Sequence, residues 1–221
     1  MNQLKLMIFD MDGLLFDTER IAFQALKKAM KNAGYNLTLD IYRKIIGAGN
    51  QEDEKILKSV YGEKFSFNLI VEDYLYESEK VLKNDGLKIM KGVPELLNML
   101  DERKIKKCVA SSSSLETIDR YLTMTNLKAR FDFYMSGDEV TRGKPHPDIF
   151  LEACKRANVT PELAMVLEDS PNGLRAAYQA GINCIVVPDL VEPDEEMYIK
   201  TYRVVDSLVE VCDLLTAQES V

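Results

Sequence analysis

The chain has 221 residues, enough to bury a substantial core in one large domain or two smaller ones. Apolar residues make up 46% and charged residues 29%, an ordinary globular balance, and no apolar run approaches the roughly 18 residues that suggest a membrane span. The net charge of −8, from 28 basic and 36 acidic residues, argues against general attraction to nucleic acid or to an anionic membrane.

The amino terminus lacks a basic segment followed by a long apolar stretch, so no secretory signal is expected. Cys108, Cys154, Cys184 and Cys212 are widely spaced and form no CxxC pair. They read as buried reduced thiols, in keeping with a cytoplasmic setting. A zinc site is disfavoured, because His146 is the only histidine.

Taken in order, Leu4 to Phe9 reads as a buried strand: short, nearly continuous in apolar residues, without alternation. It ends in Asp10, and Asp12, Gly13 and Asp17 follow. Carboxylates at a strand mouth can share a cation or divide acid and base work; Asp-Gly is also common turn chemistry. Ala22, Ala25, Leu26, Ala29, Met30 and Ala33 then recur at helical spacing until Gly34. Ile41 to Ile46 suggests a short helix, and Gly47-Ala48-Gly49 a break. Ile56, Leu57, Val60 and Tyr61 mark a third helix ended by Gly62. A long fourth is marked by Phe67, Ile70, Val71, Tyr74, Leu75, Val81 and Leu82, its aromatic stripe reading as helix core. Residues 18–84 thus form a helical block, and Asn84-Asp85-Gly86 reads as a hinge.

A short amphipathic helix over Val93, Leu96, Leu97 and Leu100 opens a strand–helix alternation. Strands are expected at Lys106 to Ala110, Phe131 to Met135, Ala164 to Leu167, Asn183 to Val187 and Arg203 to Val205. Helices are expected at Ser114 to Met124, Pro147 to Asn158, Pro171 to Ala180 and from Asp206 onward. Such alternation implies a parallel sheet with helices on both faces, and the first strand has only that sheet to pair with. The expected fold class is therefore α/β, a doubly wound Rossmann-like parallel sheet interrupted after strand one by an all-helical insert. The expected bounds are 1–16 with 87–221 for the α/β domain and 17–86 for the helical one.

Ligands of open parallel sheets bind beyond the carboxyl ends of the strands, and four such ends carry polar residues. The first holds Asp10 and Asp12. The second is Ser111-Ser112-Ser113-Ser114, where Ser113 and Glu116 have capping-box spacing. A helix start there suits an anion such as phosphate, though a serine run is also ordinary cap and loop chemistry. The third is Arg142-Gly143-Lys144-Pro145-His146-Pro147, in which Lys144 is either a phosphate-binding point charge or an exposed loop lysine. His146 reads as structural or solvent-facing rather than catalytic, and Pro147 as the first helical residue. The fourth is Glu168-Asp169-Ser170-Pro171-Asn172-Gly173. Ser170 is a good N-cap, and the two acids either complement a helix dipole or line an oxygen-rich cleft suited to Mg²⁺.

These motifs, DMDGLLFDTE, VASSSS, RGKPHPDIF and VLEDSPNG, resemble in content and order those of the haloacid dehalogenase superfamily. The resemblance spans almost the whole chain and falls in the branch of β-phosphoglucomutase and related sugar-phosphate phosphatases. It implies that Asp10 is a nucleophile forming an aspartyl-phosphate, and that Asp12 is the acid for the leaving oxygen and then the base for water. It implies that Ser111 and the backbone N–H of Ser112 hold the transferring phosphoryl group, and that Lys144 contacts Asp10 and phosphate. Mg²⁺ would be held by Asp10, Asp169 and the carbonyl of Asp12, with Glu168 supporting that shell directly or through water. The helical block would be a mobile cap, and the protein would act as a monomer on a small phosphorylated metabolite.

Within the family, Asp12 argues against a dehalogenase. In β-phosphoglucomutases a histidine usually occupies the place of Ala22 and an arginine that of Asn50, so a phosphatase acting on a sugar or nucleoside monophosphate is expected. A phosphomutase is the alternative. A non-catalytic, phosphoryl-accepting or metabolite-binding regulator is a more distant one, since a receiver would need neither Asp12 nor the insert. Asp17 reads as structural, set where the chain leaves the sheet.

Overall fold

Residues 4–46 and 50–217 are described by this computed structural model; the break expected at Gly47-Ala48-Gly49 lies outside them. β1 (Leu6–Phe9) has no exposed residue, because it runs between two parallel neighbours, β2 (Lys106–Ser111) and β4 (Ala164–Glu168). β3 (Phe133–Ser136), β5 (Asn183–Val186) and β6 (Arg203–Val204) complete a six-stranded parallel sheet of order β3-β2-β1-β4-β5-β6. The fold class read from the sequence is thus observed. Phe9 pairs with Val109 on one side and Leu167 on the other. The residues one step further, Asp10, Ala110 and Glu168, therefore lie level with one another at the carboxyl edge of the sheet.

Between β1 and β2 the chain makes the expected helical insert. It comprises α1 (Thr18–Asn32), α2 (Leu39–Arg43), α3 (Asn50–Tyr61) and α4 (Val71–Asp85). The described residues divide into two compact units, one holding the chain up to Phe16 and from Ile89, the other Asp17–Lys88. In the helical unit α1 packs on α4, while Tyr35, Tyr61, Phe65 and Phe67 form an aromatic cluster with ring centroids 5.2–5.9 Å apart. Two expectations need correction there. The short helix runs over 39–43 rather than 41–46, because the Thr38 hydroxyl caps it by accepting from the Ile41 N–H at 3.3 Å. The long fourth helix is split: Phe67–Leu69 forms a 3-10 turn, and buried Ile70 leaves helical geometry at φ −125° before α4 begins. Its apolar stripe is only partly core, since Leu75 is 58% exposed.

After the insert come α5 (Val93–Glu102), α6 (Leu115–Met124), α7 (Asp148–Ala157), α8 (Pro171–Gln179), α9 (Glu195–Lys200) and α10 (Leu208–Ala217). Strand alternation sends Leu6 and Ile8 into a core cluster with Phe150, Ala153 and Leu174 of α7 and α8. Phe9 packs edge-on against Phe131 at 5.6 Å. Pro147 stands at the N-cap of α7 and not at its first helical position. All four cysteines are buried free thiols, and among the described residues no helix is long and apolar enough to cross a membrane.

Ile8 is fully buried between β2 and β4. Ile8→Ala deletes methyl groups that the close-packed sheet cannot replace and is expected to cost about 2–5 kcal/mol. Urea unfolding measures this; a loss below about 1 kcal/mol would contradict the placement of β1 at the centre of the sheet.

Candidate active site

Asp10 follows β1 directly, 7% exposed, its N–H donating to the Leu167 carbonyl at 3.0 Å. Its carboxylate meets Lys144. The Lys144 ammonium donates to Asp10 Oδ1 at 2.5 Å, to Glu168 Oε1 at 2.6 Å and to the Ala110 carbonyl at 3.0 Å. One buried cation thus ties together the ends of β1, β2 and β4. The loop that carries it is braced from three sides. Arg142 forms a fork with Asp148 at 2.8 and 3.1 Å, Gln179 donates to the Pro145 carbonyl at 2.9 Å, and the Lys144 ammonium lies 5.1 Å from the Phe150 ring centre. Lys144 is not the exposed loop lysine that the sequence left open.

Charge at this edge is unbalanced. Asp10, Glu168 and Asp169 are all buried, with ligand oxygens within 4.8 Å of one another. Burial pushes the Asp10 carboxyl up; Lys144 pulls it down, but Glu168 and Asp12 add to the rise, to about 8. Burial opposes the charge on Lys144, yet the Asp10 and Glu168 carboxylates outweigh that penalty and hold it protonated above its ordinary range. A cluster of hard oxygen donors with more negative charge than its single lysine can offset fits Mg²⁺.

Two glycines shape this cluster: Gly13, which the sequence places behind the two carboxylates, and Gly173, to which the sequence assigned no role. A Cβ on Gly173, in the first turn of α8, would lie 1.8 Å from the carboxyl carbon of Glu168. A Cβ on Gly13, held at φ +79°, would lie 2.3 Å from Asp169 Oδ2. For Gly173 the available signal was a glycine inside an expected helix, where it costs about 1 kcal/mol relative to Ala and so needs a local reason. Glu168 is fixed further by Ser170, whose N–H and hydroxyl reach Oε2 at 3.1 and 2.9 Å while its oxygen caps α8 by accepting from the Gly173 N–H at 3.0 Å.

Asp12 faces the serine loop. Its Oδ2 accepts from the Ser113 hydroxyl at 2.8 Å and the Ser111 hydroxyl at 3.3 Å. Ser111 is 1% exposed and its oxygen also accepts the Ser113 N–H at 3.0 Å. The capping expectation here needs correction: Ser114, not Ser113, caps α6, accepting from the Thr117 N–H at 3.3 Å. Ser113 is turned toward Asp12 instead. Ser112 is exposed, and its backbone would lie 3.3 Å from a Cβ on Gly137. Asp17 belongs to the helical unit, where it pairs with Arg20 at 2.9 Å.

Comparison with known proteins gives this arrangement a family. Residues 7–187 match the model of the haloacid dehalogenase-like hydrolases. The chain is 36% identical over 178 residues to a phosphorylated carbohydrates phosphatase of Thermotoga maritima, covering 80% of this chain and 82% of that one. It is 32% identical to (DL)-glycerol-3-phosphatase 2 of Arabidopsis thaliana, covering 82% of this chain and 78% of that one. Its fold superposes on the crystal structure of CbbY from Rhodobacter sphaeroides in complex with phosphate with a TM-score of 0.77, at 25% identity over 95% of this chain and 96% of that one. The chain belongs to the haloacid dehalogenase-like hydrolase family, and it is a phosphomonoester hydrolase.

Proposed function

We propose that the protein is a Mg²⁺-dependent phosphatase that hydrolyses a sugar or nucleoside monophosphate through a phosphorylated Asp10. The observation that carries this reading is the buried Asp10–Lys144–Glu168 ion triad, with a second carboxylate, Asp12, two residues beyond Asp10 and not part of it. In this mechanism an Asp10 oxygen attacks phosphorus while the bond to the leaving oxygen breaks, and Asp12, as the acid, gives that oxygen its proton. Asp12 then takes a proton from water as the water attacks phosphorus, releasing inorganic phosphate and restoring Asp10. Lys144 holds the attacking carboxylate in place and offsets negative charge as it builds up in the transition state. Ser111 and the backbone N–H of Ser112 would cradle the phosphoryl oxygens.

Asp10, Asp169 and the Asp12 carbonyl would hold Mg²⁺, which would supply charge neutralisation for a carboxylate approaching a phosphate dianion. Both Glu168 oxygens already serve Lys144 and Ser170. We therefore assign Glu168 to orienting Lys144 and supporting the cation's surroundings. Hydrolysis is favoured over phosphomutase chemistry because Ala22 and Asn50 stand where a mutase would carry histidine and arginine. The helical insert, which departs from the turn bearing both aspartates, would select among leaving groups.

Phosphate release from p-nitrophenyl phosphate with Mg²⁺ tests the roles. Asp10→Asn is expected to abolish release, and Asp12→Ala to lower kcat about 10²–10⁴-fold. Equal release by wild type and Asp10→Asn would defeat the nucleophile, and near-normal turnover by Asp12→Ala would defeat the acid/base role. Mg²⁺ is tested separately by melting temperature. Binding to the folded chain alone is expected to raise the wild-type Tm as MgCl₂ is added, and Asp169→Ala is expected to lose that rise. An Asp169→Ala variant that kept the full Mg²⁺ shift would place the ion elsewhere.

A further inference from the structure

The proposed reaction gives Asp12 a proton to deliver, and a carboxyl delivers a proton well only when one oxygen is aimed at the acceptor. Both hydroxyl bonds to Asp12 land on the same atom, Oδ2. With Oδ2 occupied as an acceptor, Oδ1 is the oxygen placed to carry the proton. We propose that Ser113 is the positioning residue that fixes Asp12 in this orientation. It also stabilises the carboxylate left behind once the proton has gone, because a hydroxyl donated to a charged oxygen is worth more than one donated to a neutral oxygen.

Ser113 suits this task better than Ser111. Its bond to Asp12 is the shorter, 2.8 against 3.3 Å, the latter lying beyond the usual range for two oxygens. In the proposed mechanism Ser111 turns its hydroxyl to the phosphoryl group, and Ser113 then remains as the Asp12 donor. The backbone of Ser113 is also held from both sides. Its N–H donates to Ser111 Oγ at 3.0 Å, and its carbonyl accepts from the Ser136 hydroxyl at 2.8 Å. Ser136 is wholly buried at the end of β3, and its oxygen accepts the Asp138 N–H at 3.0 Å. Ser114 has taken over the capping of α6, so the Ser113 hydroxyl has no local backbone duty. A surface serine would sample several rotamers; this one is braced from β3 to point at Asp12.

The inference rests on the hydrolase reading, and the choice of leaving group separates the two. An alkyl alkoxide needs its proton as it departs, whereas p-nitrophenolate leaves without one. kcat/KM covers the reaction up to that departure. For Ser113→Ala it is expected to fall about ten- to a hundredfold on glycerol phosphate, the size of one hydrogen bond to a charged group, and by less than about threefold on p-nitrophenyl phosphate. Ser113→Thr, which keeps the hydroxyl, is expected to retain most activity on both. Equal losses on the two esters would overturn the proposal by assigning the hydroxyl to phosphate binding or to the fold, and no loss on either would overturn it outright. Wild-type protein that hydrolyses neither ester would instead refute the hydrolase reading. Crystal structures of wild type and Ser113→Ala test the positioning apart from turnover. The Asp12 carboxylate is expected to occupy one rotamer in the first and to spread over more than one in the second; a single unchanged Asp12 in the variant would contradict the proposal.

Discussion

The ammonium of Lys144, held between Asp10 and Glu168, is the interaction on which the site depends. A buried carboxylate without a partner is costly, and removing one member of a buried pair leaves the other uncompensated. The sheet brings the ends of β1, β2 and β4 to one edge, and Lys144 makes it tolerable for their acids to be there. It does so incompletely. One cation meets both Asp10 and Glu168, so burial, Glu168 and Asp12 still drive the Asp10 carboxyl up to about 8. The same residual charge makes the edge a fit for a divalent cation, and such a cation would return Asp10 to the ionised form that a nucleophile requires.

The surroundings serve this arrangement through close approach. Gly173 leaves the room that the Glu168 carboxyl fills, and Gly13 does the same for Asp169. Ser170 both caps α8 and anchors Glu168, coupling the start of a helix to the orientation of a charge. On the other side of Asp10, the serine loop is braced against β3 through Ser136. Asp10 thereby joins Glu168 and Asp169 of the β4 side in a metal-type cluster, while the hydroxyl-lined turn follows β2 on the other side of β1.

Much of this was legible in the sequence because parallel sheets obey strong local rules. An apolar run ending in Asp10, and strand–helix alternation from residue 106 onward, are enough to call for a sheet whose carboxyl edge collects Asp10, Ser111 and Glu168. What was not legible depends on distance across the fold. Sequence spacing favoured Ser113 as the α6 cap, since it sits three residues before Glu116. Only the position of Asp12, 101 residues earlier, shows why that hydroxyl points elsewhere and Ser114 caps instead. The break of the fourth helix at Ile70, a buried residue at φ −125°, left no mark on an apolar spacing that runs through it without interruption. Gly173 looks like a flaw in a helix until Glu168 is placed beside it.

The central claim is that Asp10 itself receives the phosphoryl group, and it is tested most directly on the protein during turnover. Mg²⁺-loaded enzyme mixed with a phosphomonoester, quenched in acid within the first turnovers and digested, should yield the peptide spanning Asp10 heavier by one phosphoryl group, with fragmentation placing it on Asp10. The modification should be absent from Asp10→Asn. Phosphate released by the wild type with no modified Asp10 peptide at any quench time, or with the phosphoryl group on another residue, would contradict the account.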